Sequence, residues 1–395
     1  MKTVELGEVA NFVRGITFKP ADTVKLGDDG SVACMRTKNV QASLDTDDVL
    51  AVPTRFVRRD EQYLQPGDTL VSSANSWNLL GKCSWVPELP WKSSFGGFVT
   101  VLRPSGDQLD RRYLYRWFSY GRTQHTLRSF GRKTTNISNL PLDRCRRMEI
   151  PLPSVEDQRR IAAALDAADR IRVNRRRALA KLDTLAQAVF VDMFGDPRES
   201  ATGWPIVEFD ELCPSHLGKM LDQKQQTGTQ ARPYLRNQNV RWFEFELDDL
   251  ATMDFDEKAR SKYRLDPGDV LICEGGEPGR AAIWRGELTE CYFQKALHRG
   301  RPVAGRATAE YIVHLLRWLA DNGALVDHIS TATIAHLTGK RLKAMRVAAP
   351  DYALQQEFTK AVAAIDEKRR LQECSLAELD TLFASLQQRA FQGDL

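Results

Sequence analysis

The sequence lacks the features that mark several large classes of protein. Among its 395 residues no apolar run approaches the roughly 18 residues needed to cross a bilayer. Glu5 and Glu8 interrupt the stretch where a signal peptide has its apolar segment. The seven cysteines are odd in number and are not clustered in pairs, so neither a disulfide framework nor a zinc knuckle is predicted. We expect a cytoplasmic protein with buried free thiols.

Catalytic motifs are also missing. There is no P-loop, no G-x-G-x-x-G, no G-x-S-x-G elbow and no H-E-x-x-H, and no Asn/Asp-Pro-Pro-aromatic string of the kind used by amino-methyltransferases. Glu274–Gly279 reads EGGEPG but lacks the lysine of a phosphate-binding loop, and we interpret it as a turn. The six histidines show no metal-ligand spacing. The sequence therefore predicts a non-catalytic chain with no metal or cofactor of its own.

Internal repetition is the main positive signal. Four pairs of similar segments recur in the same order along the chain, and the last pair is identical (LDTL) at an offset of 197 residues. The pairs are Val4–Val9 with Val207–Leu212, Met35–Val40 with Leu235–Val240, Leu64–Leu70 with Leu265–Leu271, and Leu182–Leu185 with Leu379–Leu382. Since one match could be chance but colinear matches are not, the chain is predicted to contain two copies of a unit of about 200 residues.

Each copy is predicted to be an α+β domain followed by a long helix. Short β-rich runs and Pro-Gly-Asp turns fill the first 150 residues of each copy. Ser154, with Asp157 three residues later, predicts a helix start, and Gly195 and Gly393 predict the helix ends. Forty helical residues span roughly 60 Å. The predicted segments are 1–153 (first domain), 154–200 (first helix), 201–350 (second domain) and 351–395 (second helix).

Both helices carry an apolar seam with alternating steps of four and three residues. The seam is interrupted by polar residues at the same two steps, Arg172 and Arg175 in the first helix, Arg369 and Gln372 in the second. Its principal members are Ile161, Leu165, Leu179, Leu182, Val189, Phe358, Val362, Ile365, Leu376, Leu379, Phe383 and Leu386. A helix on the surface of its own domain would not need ten seam positions. The pattern therefore predicts an antiparallel coiled coil between the two helices, with pseudo-twofold symmetry.

The formal net charge of +4 conceals two basic regions. Arg103–Arg147 holds eleven basic and three acidic residues, and Arg301–Arg346 holds seven and three. A solvated surface usually intersperses both signs, whereas a local excess of positive charge is typical of phosphate contact. The charge distribution therefore favours a nucleic-acid partner.

Polar loops in each domain carry side chains suited to base edges. Arg and Lys match guanine, and Asn and Gln match adenine. The predicted DNA-binding residues of the first domain are Arg36, Lys38, Asn39, Lys82, Arg132, Lys133, Thr134, Thr135 and Asn136; those of the second are Arg236, Gln238, Asn239, Arg280, Thr331, Thr333 and Lys340. Each of these residues could equally serve as a turn or cap. Because Lys38-Asn39 aligns with Gln238-Asn239, we expect the two domains to read different sequences.

Several segments of the chain resemble those of a known family. Ile150–Asp169, Ala178–Asp196 and Leu376–Leu395 are similar to the conserved helical regions of specificity (S) subunits of type I restriction–modification enzymes. Leu64–Ser73 and Leu265–Ile272 resemble the strand pattern of their recognition domains. The second helix departs from the pattern, since it begins APDYALQQEF where the first begins IPLPSVEDQ.

The resemblance implies two target recognition domains, each binding one half of a split, asymmetric site on double-stranded DNA. The helices would space the domains and dock two modification (methyltransferase) subunits, which bind S-adenosylmethionine and flip out an adenine for N6-methylation. Restriction (translocase-nuclease) subunits would add ATP- and Mg-dependent translocation and cleavage. Two alternatives remain: a specificity subunit of a methylation-only or type II-like system, and a coiled-coil scaffold without a DNA role, which leaves the basic regions unexplained.

Overall fold

The computed structural model describes residues 2–131, 137–198, 203–222, 226–326 and 336–394. The chain forms two compact units: unit 1 combines Met1–Arg175 with Ser375–Leu395, and unit 2 is Arg176–Cys374. Each unit therefore contains one globular domain together with parts of both long helices. This differs from a division into four consecutive segments, because each long helix contributes residues to both units. In the part of the chain that the structure describes, no helix is long and apolar enough to cross a membrane.

The globular domain of unit 1 is a mixed α+β fold. Its strands are β1 (Thr3–Glu5), β2 (Ala10–Arg14), β3 (Ser31–Met35), β4 (Leu50–Pro53), β5 (Thr69–Ser72), β6 (Ala74–Asn75), β7 (Cys83–Trp85), β8 (Ser93–Phe95), β9 (Val99–Pro104), β10 (Ser138–Asn139) and β11 (Glu149–Pro151). Its helices are α1 (Leu6–Val9), α2 (Arg111–Phe118), α3 (Gly121–Phe130) and α4 (Leu142–Arg146). The sheets have the orders β2-β9-β5-β7, β4-β3-β8, β1-β11 and β10-β6.

The globular domain of unit 2 repeats this arrangement. Its strands are β12 (Ile206–Glu208), β13 (Ser215–Leu217), β14 (Ala231–Leu235), β15 (Ala251–Asp254), β16 (Val270–Cys273), β17 (Ala281–Ile283), β18 (Tyr292–Phe293), β19 (Leu297–Gly300) and β20 (Arg346–Ala348). Its helices are α6 (Phe209–Leu212), α7 (Glu257–Tyr263), α8 (Ala309–Asp321) and α9 (Gly339–Lys343). The sheet orders β13-β19-β16-β17, β15-β14-β18 and β12-β20 match three of the four sheets of unit 1 strand for strand.

Equivalent hydrogen bonds show that the two copies share their structure as well as their sequence pattern. The hydroxyl of Tyr113 donates to the carbonyl of Pro151 at 2.9 Å, and that of Tyr311 donates to the carbonyl of Ala348 at 2.7 Å. Both tyrosines are fully buried at the junction between the domain and the strand that leads into a long helix. These bonds fix an offset of 198 residues between α2 and α8, and of 197 residues between β11 and β20.

The long helices begin and end at the predicted signals. They are α5 (Val155–Phe194) and α10 (Tyr352–Gln392). The Ser154 hydroxyl accepts the backbone N–H of Asp157 at 3.1 Å and so caps α5. Both helices stop at a glycine in the left-handed region, with φ of 71° at Gly195 and 94° at Gly393.

Within each unit the two helices pack along the predicted seam. In unit 1 the first part of α5 and the last part of α10 share one apolar core, which includes Ile161, Leu165 and Phe383. In unit 2 the last part of α5 and the first part of α10 share another, which includes Leu182 and Phe358. This order of contacts is that of an antiparallel pair, as the seam predicts. Of the other principal seam residues, Val362 and Ile365 are buried, and Leu179, Val189, Leu376, Leu379 and Leu386 are half-buried.

One polar step of the seam makes a specific contact. The Arg172 guanidinium donates to Asp380 at 2.5 Å and lies 4.2 Å from the centre of the Phe383 ring. The most buried aromatic side chains of α5, Phe190 and Phe194, lie outside the predicted seam. They stack on Tyr311 and Phe358 of unit 2 at centroid distances of 5.0–5.7 Å. A strict heptad pattern misses them because they pack against the globular domain as well as the partner helix.

Candidate nucleic-acid interface

Three segments of the unit 1 domain converge on one edge. The first is the turn that follows β3, the second is the connection from β5 to β7, and the third is the chain at β10. The Ser84 hydroxyl donates to the Gln41 carbonyl at 2.5 Å, and the Lys82 ammonium contacts the Gln41 side chain. On the other side, Asn75 pairs with Ser138 across β6 and β10. Residues far apart in sequence thus meet at one edge of the domain.

The same three segments converge in unit 2. The Asn237 amide donates to the Gly275 carbonyl at 3.0 Å, which joins the turn after β14 to the connection from β16 to β17. Gly275 in turn forms a bridge with His336. The EGGEPG segment is a turn, as predicted, with Gly276 and Gly279 at positive φ. The candidate interface therefore occurs once in each unit.

Asn39 and Asn239 serve the turns themselves, which corrects the prediction that they contact bases. Both side chains are buried, at 0% and 1% exposure. The Asn39 amide accepts the N–H of Arg36 at 2.8 Å and donates to two backbone carbonyls, and Asn239 makes the equivalent three bonds. Because a turn needs its carbonyls satisfied, these asparagines position their neighbours instead of reading DNA.

The basic and polar side chains of the two turns share a carboxylate partner. In unit 1, Arg36 lies 3.5 Å from the Asp48 carboxylate, which Lys38 also contacts. Lys38 is 43% exposed, so its ammonium is accessible from solvent despite this ion pair. A single flanking aspartate thus holds both cations at the surface, where surface pairs of this kind contribute little stability.

Unit 2 repeats this arrangement with different side chains. Arg236 and Gln238 donate to the Asp249 carboxylate at 3.1 Å each. Gln238 thus occupies the place of Lys38, beside Asp249, which is the equivalent of Asp48. The two turns therefore have one backbone arrangement and different hydrogen-bonding groups.

Lys82 and Arg280 are structural equivalents. The Ser72 N–H donates to the Lys82 carbonyl at 2.8 Å, and the Cys273 N–H donates to the Arg280 carbonyl at the same distance. Lys82 is half-buried beside the first turn. The Arg280 side chain is 14% exposed and donates to the Asn237 carbonyl at 3.0 Å and to Glu277 at 2.9 Å. Both place a cation between the turn and the connecting segment, although Arg280 is the more enclosed.

Several predicted residues lie outside the described part of the chain: Arg132, Lys133, Thr134, Thr135, Asn136, Thr331 and Thr333. The residues that flank them are placed, however. Ile137 precedes β10 at the unit 1 edge, and His336 forms the bridge at the unit 2 edge. Lys340 is exposed on α9, four residues beyond that bridge.

The basic region at Arg103–Arg147 is only partly available for phosphate contact, which corrects the interpretation of its charge. Arg103 pairs with Asp68 through two bonds of 2.6–2.7 Å, and Arg301 pairs with Asp269 in unit 2. Arg112 and Arg116 pair with Asp166 of α5 at 2.6–2.9 Å. These arginines hold the domain together or fasten it to the helix. The exposed arginines of the region that the structure describes are Arg122, Arg144 and Arg147.

Sequence reasoning missed the apolar side chains at the unit 1 edge. Trp77 is 38% exposed, Ile137 is 51% exposed and Phe98 is 61% exposed. The Phe98 carbonyl accepts the N–H groups of Ser73 and Ala74 at 3.0–3.1 Å, which places it beside the second segment. Apolar patches on a surface often mark binding sites. The signal available in the sequence was the Gly96-Gly97-Phe98 pattern, which the structure places between β8 and β9.

Burial shifts the pKa of several cysteines and of one histidine towards the neutral form. Burial raises the pKa of the Cys34, Cys83, Cys145 and Cys291 thiols to about 12. Burial between aromatic rings lowers the pKa of His314 to about 4. Within the described residues no cluster of three or more His, Cys, Asp or Glu could hold a metal ion. The side chains at the two edges offer hydrogen bonding, ion pairing and apolar contact.

The fold and the repeated edge define a protein with two similar α+β domains, each of which is joined to long helices. Residues 1–182 match the family model described as the type I restriction modification DNA specificity domain. The chain is 24% identical to the EcoKI type I restriction enzyme specificity subunit of Escherichia coli K12, over 98% of this chain and 87% of that protein. The chain is therefore similar to type I restriction–modification specificity subunits along nearly its whole length, and its first 182 residues match their DNA specificity domain.

Two solved structures have the same fold. One is a chain from a study of complex assembly and conformational transition of the type I R-M system, with a TM-score of 0.62, 16% identity and coverage of 100% of this chain and 98% of that chain. The other is the S subunit of a type I restriction–modification system from M. genitalium, with a TM-score of 0.57, 14% identity and coverage of 99% and 96%. The likeness extends over both repeats.

Proposed function

We propose that this chain is a specificity subunit of a type I restriction–modification system and binds a bipartite, asymmetric site on double-stranded DNA, with one recognition domain for each half-site. The observation that carries the proposal is the duplicated edge: the same three segments meet in both units, yet Lys38 and Lys82 of unit 1 are replaced by Gln238 and Arg280 of unit 2. Equivalent backbones with different hydrogen-bonding groups would present the same geometry to two different base sequences.

The paired helices would act as the spacer between half-sites and as a docking surface for two modification subunits. Helices α5 and α10 contain 40 and 41 residues, and a continuous helix of that length spans roughly 60 Å. The chemistry would then come from the partners: S-adenosylmethionine on the methyltransferase subunits, and ATP with Mg on the restriction subunits. The chain itself would supply recognition and spacing without catalysis.

Methylome sequencing of cells that express this chain with its modification subunit tests the proposal directly. We expect a two-part motif with methylated adenine in each half and a fixed number of unspecified bases between the halves. A motif without any cleavage of unmodified DNA would place the chain in a methylation-only system. Absence of any motif, with the modification subunit shown to be active on another specificity subunit, would favour the scaffold alternative.

A further inference from the structure

Each candidate DNA edge carries an aspartate beside the exposed side chain of its turn. In unit 1 this is Asp48, which is 65% exposed and contacts the Lys38 ammonium. In unit 2 it is Asp249, which is 79% exposed and accepts a hydrogen bond from the Gln238 amide at 3.1 Å. A carboxylate repels the phosphates of DNA, and exposed ion pairs contribute little stability. Neither phosphate binding nor folding therefore accounts for an aspartate at both edges.

The main chain of both aspartates is fixed by the turn beneath it. The buried Asn39 amide donates to the Asp48 carbonyl at 3.0 Å, and the Asn239 amide donates to the Asp249 carbonyl at the same distance. The Arg236 guanidinium donates to the Asp249 carbonyl as well, at 2.7 Å. Each carboxylate therefore starts from a fixed point beside the turn, and its contact restrains a side chain that would otherwise sample many rotamers.

The contact with Asp48 determines what the Lys38 side chain still offers to a ligand. An ammonium has three N–H donors and no acceptor. With one donor directed at the carboxylate, two donors remain, and the positive charge is balanced by its neighbour. Two adjacent donors match the O6 and N7 acceptors of guanine, whereas a balanced charge is only weakly attracted to phosphate.

The contact with Asp249 fixes the orientation of the Gln238 amide. A carboxylate can only accept hydrogen bonds, so the NH₂ group of the amide, and not its oxygen, must face Asp249. One N–H and the Oε1 atom then remain, as one donor and one acceptor. This pair matches the N7 acceptor and the N6 amino group of adenine. An amide that was free to turn over would present its donors to other bases as well.

We propose that Asp48 and Asp249 are positioning residues, which direct the side chains of Lys38 and Gln238 to base edges and away from the phosphates. This inference rests on the proposed function and makes it more specific. Lys38 then reads a guanine in the unit 1 half-site, and Gln238 reads an adenine in the unit 2 half-site. The two aspartates raise the preference for the site over other DNA by lowering the affinity for DNA in general.

The test compares each aspartate with the one that precedes it, in the full chain assembled with its modification subunit. Asp48→Asn and Asp249→Asn remove the positioning contact, and Asp47→Asn and Asp248→Asn remove the same charge from the adjacent exposed residues. The probes are a duplex with the site that methylome sequencing defines and a scrambled duplex of equal length. We expect Asp48→Asn to bind the scrambled duplex more tightly than Asp47→Asn does. Its slope of log K against log salt should be steeper by about 0.9, because Lys38 becomes free to contact a phosphate.

Replacement of single purines by their 7-deaza analogues, which lack the N7 acceptor, measures the base contacts. The half-site that changes when residues 1–150 are exchanged for those of a related subunit is that of unit 1. Replacement of one guanine there should weaken binding of the wild-type chain about tenfold, as should replacement of one adenine in the other half-site, apart from the methylated adenine. At these two bases we expect a loss below about threefold in Asp48→Asn and Asp249→Asn respectively, and the full loss in both controls.

Two results would each overturn the positioning role. One is that no purine replacement distinguishes the wild-type chain from the Asp48 and Asp249 variants, and the other is that each variant behaves like its neighbouring control. In both cases the wild-type complex would still prefer its site to the scrambled duplex. Equal affinity of the wild-type complex for the two duplexes would instead contradict the proposed function, and the positioning role with it. Thermal unfolding, which we expect to be unchanged because the contacts are exposed, verifies that all four variants fold.

Discussion

At the scale of single residues, the candidate interface separates side chains that position from side chains that are available to DNA. Asn39 and Asn239 satisfy the turns from the inside, and Lys38 and Gln238 lie at the surface beside them. Residue type alone selects all four residues as base readers, because it tells what an amide or ammonium can bond and not where the side chain points. Burial distinguishes the two roles.

Substitution of Lys82 by alanine should weaken DNA binding and reduce its dependence on salt. If Lys82 neutralises one phosphate, the slope of log K against log salt should fall by about 0.9. Titrations of an oligonucleotide containing the site, at several salt concentrations, measure both effects. Lys25→Ala removes an exposed cation elsewhere in the same domain and should leave the slope unchanged. Equal slopes for both variants would remove Lys82 from the phosphate contacts.

Phe98→Ala should weaken DNA binding without changing its dependence on salt. Loss of an apolar contact lowers affinity but releases no counterions, so the salt slope should stay at the wild-type value. The loss should be about tenfold, which corresponds to roughly 1.4 kcal/mol. The matched control is Val24→Ala, a side chain that is 38% exposed in the same domain. If Phe98→Ala and the control bind alike, Phe98 makes no contact with DNA.

At the scale of elements, each domain is fastened to its long helix by a buried glutamine. Gln158 accepts the N–H of Asp110 at 2.8 Å and donates to the carbonyls of Gln108 and Pro153. Gln355 makes the three equivalent bonds in unit 2. Both side chains are fully buried. The sequence offset pairs these glutamines, but nothing in their local pattern indicates what they bond.

Gln158→Ala should destabilise unit 1, and Gln355→Ala should destabilise unit 2 to a similar extent. Each change removes three hydrogen bonds to backbone groups, and a typical hydrogen bond contributes about 0.5–1.5 kcal/mol. Denaturant unfolding measures the loss, with Gln392→Ala as an exposed control at the end of α10. If the free energy of unfolding falls no more than it does in the control, water must bond these backbone groups in place of the glutamine amide.

Insertion of four residues in the middle of α5 should lengthen the spacer of the recognised site and leave both half-sites unchanged. An added turn increases the length of a helix by about 6 Å, close to two base-pair steps, whereas the edges that read the bases are not altered. Methylation mapping of the variant provides the measurement. Altered half-site sequences would contradict the spacer role of the helices.

At the scale of the whole molecule, the repeat, the α+β class and the two long helices could all be predicted from the sequence. These features depend on periodicity and on signals such as Ser154, Gly195 and Gly393, which are local in the chain. The composition of the compact units could not be predicted, because it depends on long-range packing such as Phe190 and Phe194 against Tyr311. The pairing of Arg103 with Asp68 is equally long-range. It removes Arg103 from the positive charges that a count of the sequence assigns to phosphate contact.

Exchange of residues 1–150 for those of a related specificity subunit should change one half-site only. The exchange leaves the unit 2 edge and the seam residues of both long helices in place. Methylome sequencing of the chimera shows which half of the motif is altered. Changes in both halves would mean that the two domains do not read independently.

The matched glutamine and tyrosine bonds also bear on how new specificities arise. The junctions between domain and long helix in the two repeats use equivalent tyrosine and glutamine hydrogen bonds. A genetic crossover near codon 150 or codon 347 would therefore join a domain from one gene to a helix from another with these bonds preserved. Recombination could then shuffle half-sites in a single event, with no period in which the junction must be repaired by further mutation. A gene with this duplication can thus acquire a new DNA specificity by recombination alone.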